Sequence, residues 1–131
     1  MRIAVGVVTL LLSTNAAIAE EDFQVEVLAR SVIYRMCVEN YAKSHSGPGA
    51  SPTEIAAAAD FRCIKEFSEV GTYYRAHILK NFPVDESSAK KKELSERVQK
   101  YLLLQMDQAL KDAQSAARSE ASAIVIDQRN R

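Results

Sequence analysis

Cys37 and Cys63, with His45 and His77, are the residues of this chain best suited by type to chemistry. A cysteine acts as nucleophile or metal ligand in its thiolate form. The two cysteines are 26 positions apart, too far for a C-x-x-C redox motif. Neither histidine lies close in sequence to a cysteine or to the other histidine. There is no C-x-x-C-H haem signature, no H-E-x-x-H pair and no E-x-x-H pair of the kind that builds a carboxylate di-metal bundle. No glycine-rich phosphate loop and no nucleophile elbow occurs. These absences argue for a protein that is not an enzyme and carries no metal or cofactor. His45 reads as a solvated loop residue and His77 as a partly buried structural one.

The cysteines have a better use in a disulfide. The N-terminus carries Arg2, an apolar run from Ile3 to Leu12, and the small-residue pattern Ala17-Ile18-Ala19 ahead of Glu20, Glu21 and Asp22. That is the pattern of a secretory signal sequence cleaved after Ala19. The run is short of the roughly 20 residues a membrane-spanning helix needs. Export leads to an oxidising compartment, the periplasm first and the extracellular space second, where two cysteines pair. Closing the loop between Cys37 and Cys63 is worth about 3 to 4 kcal/mol by chain-entropy arithmetic.

Residues 20–131 then form a single helical domain. Removal of Arg2 leaves 16 basic and 17 acidic residues, a net charge of −1. That balance argues against nucleic acid as a partner and gives no reason to expect a membrane-surface protein after cleavage. Lys90, Lys91 and Lys92 read as a solvated helix face.

The elements that must hold the cysteines are helices. From Phe23 to Lys43 there is neither Gly nor Pro. Phe23, Val27, Tyr34, Val38 and Tyr41 fall on one stripe, and Val25, Leu28, Val32 and Met36 on the opposite side. Two apolar sides predict a middle-layer helix covered on both flanks. Gly47, Pro48 and Gly49 make a turn. Ser51-Pro52-Thr53-Glu54 restarts a helix with a capping box and Pro at its first position. Its apolar face is Ile55, Ala59, Cys63, Phe67, Val70, Tyr74 and Ile78, with Gly71 as a weak point and an end before Pro83. A third helix starts near Asp85, Ser87 and Ser88 and runs without a breaker to Ser119 and beyond. Ile124-Val125-Ile126 reads as a last helical turn, with a frayed tail as the alternative. The fold class is therefore all-α: a small bundle of three long helices with one disulfide between the first two.

Tyr34, Tyr41, Tyr74 and Tyr101 read as core residues, whereas Tyr73 points off its helix's main face. The third helix carries an apolar arc of roughly 200°, wider than the roughly 100° a one-sided surface helix needs. The Leu103/Leu110 edge, with Leu104 alone on the far side, is expected to stay exposed. Leu103, Leu104, Leu110 and Tyr73 are thus the candidate interface residues. The expected function is non-catalytic binding of another protein, or of itself as a homodimer, by an inhibitor, immunity or chaperone-like module. In architecture the chain is similar to periplasmic acid-stress chaperones and immunity proteins, without a shared motif. The alternative is a carrier of a small apolar ligand or lipid between the helices.

Overall fold

The computed structural model describes the backbone of residues 3–131 and, from residue 20 onward, every side chain but that of residue 21. The expected signal sequence, residues 1–19, lies outside the residues so described. The chain forms α1 (Ile3–Ser44), α2 (Pro52–Arg62), α3 (Ile64–Asn81) and α4 (Ala89–Arg129). Among the described residues no helix is long and apolar enough to cross a membrane. The fold is all-helical with a Cys37–Cys63 disulfide, Cα atoms 6.0 Å apart.

The helix count differs from the expectation of three. The predicted second helix is divided at Cys63, whose φ of −98° and ψ of 18° lie outside the helical region. The interruption is one residue wide, since Cys63 still donates to Ala59 O and its carbonyl still accepts from Phe67 N. The bond to Cys37 holds Cys63 against α1 at this break. Gly71 does not interrupt α3. A Cβ there would meet only the end of the Leu110 side chain, 3.3 Å from its Cδ1.

Helix starts follow local chemistry. Ser51 Oγ accepts from Glu54 N, and Glu54 Oε2 accepts from Ser51 N. This reciprocal box satisfies two otherwise unpaired donors of α2. Ser88 Oγ accepts from Lys91 N at the start of α4. In the 45–51 turn, Gly49 adopts a φ of 126°, a conformation open to glycine but strained for other residues.

The core runs through the disulfide end of the bundle. Tyr34, Val38 and Ala42 of α1 pack with Ile55, Ala56 and Ala59 of α2. Cys63 and, from α4, Ala117, Ala121 and Val125 complete that cluster. Alanines from both α2 and α4 let these two helices approach closely. The face predicted for the second helix is confirmed, with Ile55, Ala59, Cys63, Val70 and Ile78 buried and Phe67 and Tyr74 half-buried. α4 stays helical through Ile124-Val125-Ile126, with Val125 fully buried. Arg129 then reaches over the turn, donating to Ser46 O at 2.9 Å and to Gly47 O and Ala50 O at 2.6 Å. The end of α4 is thereby fastened to the turn between α1 and α2, not frayed.

One expectation about α1 is overturned. The helix is not a middle layer: α2, α3 and α4 all pack on its Phe23–Tyr34–Val38 side, and the opposite stripe is left uncovered. The reason is topological. α2, α3 and α4 follow one another through short connections and all return to the same side of α1, so no element is left for the other flank.

Candidate functional site

Three features stand out among the described residues: a buried ionic node, an apolar groove, and the open face of α1. The node is Asp60 of α2, the buried charged residue of the core. Tyr34 of α1 donates its hydroxyl to Asp60 Oδ1 at 2.7 Å. From α4, Gln114 Nε2 and Arg118 Nε each donate to Asp60 Oδ2 at 2.8 Å. Burial alone would push the Asp60 carboxyl up. The hydrogen bonds from Tyr34, Arg118 and Gln114, with the Arg118 charge, outweigh it and hold the carboxyl below its ordinary range. Burial pushes the Tyr34 hydroxyl well above the usual tyrosine range, and its bond to Asp60 adds to that. A tyrosine that keeps its proton and a carboxylate that stays ionised hold each other in place; they are poorly suited to exchange protons. The node is a fastener for three helices.

The groove lies between α1, α3 and α4, lined by Val27, Tyr34, Phe67, Val70, Tyr74 and Leu110, with a volume of about 350 Å³. Arg35 and Glu120 stand at its edge, joined at 2.7 Å. It is more enclosed than the surface cleft of Phe82, Leu94 and Val98 between the end of α3 and the start of α4.

The open face of α1 departs from ordinary burial among the described residues. Val25 is 60%, Leu28 65%, Val32 42%, Ile33 55% and Met36 54% exposed. At about 100° per residue these five fall within one side of the helix. Large apolar side chains gathered in this way, unlike scattered ones, mark a contact surface. Next to it, Glu26 and Arg30 form an ion pair at 3.0 Å.

The sequence-predicted candidates are dispersed by the fold. Leu104 is exposed but does not stand alone, since Leu94, Val98 and Tyr101 on the first half of α4 are exposed as well. Leu103 and Leu110 are half-buried. Leu110 faces Gly71 and the groove, so the Leu103/Leu110 edge is not the free surface. Tyr101, read as core, is exposed, on the same side of α4 as the exposed Leu94 and Val98. Tyr73 is engaged within the chain. It stacks on Phe23 with centroids 5.9 Å apart, and the Arg30 guanidinium lies 4.8 Å over its ring. His77 stacks on the other side of this clasp, 3.5 Å from Phe23. His45 is exposed and stacks on Tyr41 at 3.8 Å.

Sequence reasoning missed the Asp60 node. Its signal was present: Asp60 shares a helix side with Ala56 and Cys63, where a charge needs a partner. Glu66 lies beside the disulfide, its carboxylate oxygen and the two sulfurs within 4.8 Å of one another. Since the sulfurs are bonded to each other, neither is a thiolate ligand, and this group does not form a metal site in the disulfide state.

No protein-family model, curated protein or solved structure matches the chain.

Proposed function

We propose that this is a non-catalytic protein-binding module of an oxidising compartment, working through the open face of α1. The observation that carries the reading is the exposure of Val25, Leu28, Val32, Ile33 and Met36 on one side of a long helix. Leaving that much apolar side chain in water is unfavourable by roughly 25 cal/mol per Å², and a partner that covers it recovers this. The disulfide is compatible with an exported protein. The Asp60 node and the disulfide hold α1 rigidly from behind, so the face is presented without an ordering cost on binding. The experiment is quantitative capture from the exporting cell's extract. Wild type is compared with Leu28→Glu/Val32→Glu and with the control Phe61→Glu, all checked for unchanged helicity. Loss of capture with the first variant alone is expected; equal capture by all three contradicts the reading.

A second reading rests on the groove. A volume of about 350 Å³ lined by apolar side chains is within the size range of small-molecule sites, and a small apolar ligand fits its chemistry. Fluorescence of an apolar naphthylamine probe tests this directly. Ala113 also lines the groove; enhancement that is abolished by Ala113→Phe supports the reading, and no enhancement by the wild type refutes it.

A further inference from the structure

We propose that what covers the open face of α1 is the same face of a second copy of the chain, with the two helices antiparallel. This rests on α1 being the binding surface and names its occupant. Val25, Leu28, Val32 and Met36 recur at spacings of three and four residues, with Ile33 at the stripe's edge. Such a stripe can be its own complement across a two-fold axis, as an isologous contact requires.

Charge decides the orientation. Residues 20–31 hold Glu20, Glu21, Asp22 and Glu26 against Arg30, a net −3. In residues 32–43, Arg35 is taken up by Glu120 of its own chain at 2.7 Å, so the stripe ends on Glu39 and Lys43, with Lys43 the basic residue of that end. A parallel pair would lay one acidic end on the other. An antiparallel pair separates the two acidic ends and brings Asp22 of each helix toward Lys43 of the second copy. With Val32 on the axis, Leu28 faces Met36 of the second copy, and Asp22 comes beside the Ala42–Lys43 turn. The stripe is followed on its own line by Glu39 and Lys43, which form the polar rim of the contact. A helix pair over residues 20–44 is about 37 Å long. One helix face of that length buries an area at or below the low end of stable interfaces, under about 1,200 Å². The dimer is accordingly one that dissociates on dilution.

The test is sedimentation velocity of the exported chain over a concentration series, with variants at exposed positions that leave the core untouched. Wild type is expected to pass from monomer to dimer as concentration rises, and Val32→Glu to stay monomeric. Asp22→Lys and Lys43→Asp are each expected to weaken association several-fold. Combined in one chain they restore it, because each reversed residue then meets its reversed counterpart. A double variant weaker than either single one overturns the antiparallel arrangement. A wild type that is monomeric at every concentration overturns self-association. If its Leu28→Glu/Val32→Glu variant still loses capture of another protein, the α1 reading survives this failure; if capture is unchanged, both fall.

Discussion

Asp60 of α2 and Arg118 of α4 meet across 58 positions of sequence, Nε 2.8 Å from Oδ2. With Tyr34 on the other carboxylate oxygen, this contact ties three helices together beside the disulfide. Arg118 keeps half of its side chain in solvent while Asp60 is almost wholly buried, so the two ends of the pair respond differently to mutation. Removing Tyr34's hydroxyl takes a charged hydrogen bond from a buried carboxylate. Tyr34→Phe is expected to lower unfolding stability by about 1.5 to 3 kcal/mol. Urea denaturation measures this, and a loss near zero would show that the Tyr34 bond contributes nothing to the fold.

The same node makes the fold acid-sensitive. Asp60's carboxyl lies below its ordinary range in the folded state, against about 3.9 for an unperturbed aspartate. Between those two values the unfolded chain binds a proton that the folded chain does not. Stability therefore rises with pH through that window and is fully present above the unfolded value. It is lost as pH falls through the depressed folded value. Thermal melts from neutral pH into this acid range are expected to show the decline, and Asp60→Asn to flatten it.

The cysteines supply a second fastener. Cys37→Ser with Cys63→Ser is expected to cost about 2 to 5 kcal/mol with helicity little changed. Calorimetry with circular dichroism checks both halves. Because the Cys63 backbone departs from helix geometry where it meets α1, the double variant also asks whether α2 and α3 merge into one helix once released.

Gly71 tests the groove from behind. A Cβ there meets only the end of the Leu110 side chain, at 3.3 Å, and Leu110 borders the groove, into which it can yield. The better helix propensity of alanine then prevails, and Gly71→Ala is expected to raise stability by about 0.5 to 1 kcal/mol. A destabilised variant would mean that Leu110 has nowhere to move.

Much of this architecture was legible in the sequence, and the limits have physical causes. The capping box at Ser51–Glu54 and the face from Ile55 to Ile78 follow from local periodicity and side-chain hydrogen bonding, so they could be read directly. The disulfide followed from compartment logic. The break at Cys63 carries no Gly or Pro and falls at a residue tied to α1 across 26 positions, so no local signature marks it. The periodicity of α1 and α4 showed which faces are apolar but not which of them the remaining helices would reach. Val25, Leu28, Val32 and Met36 therefore looked covered, and Leu110 looked free. Asp60 was overlooked because its partners Tyr34, Gln114 and Arg118 are brought to it only by the fold.

The central claim is that the α1 face is covered when the protein is at work. Carbene footprinting measures this most directly, comparing the protein in an extract of the cell that makes it with the same protein purified and dilute. The account predicts that labelling of Val25, Leu28, Val32 and Met36 falls several-fold in the extract while labelling of Phe61 stays constant. Equal labelling of the α1 face under both conditions would contradict it.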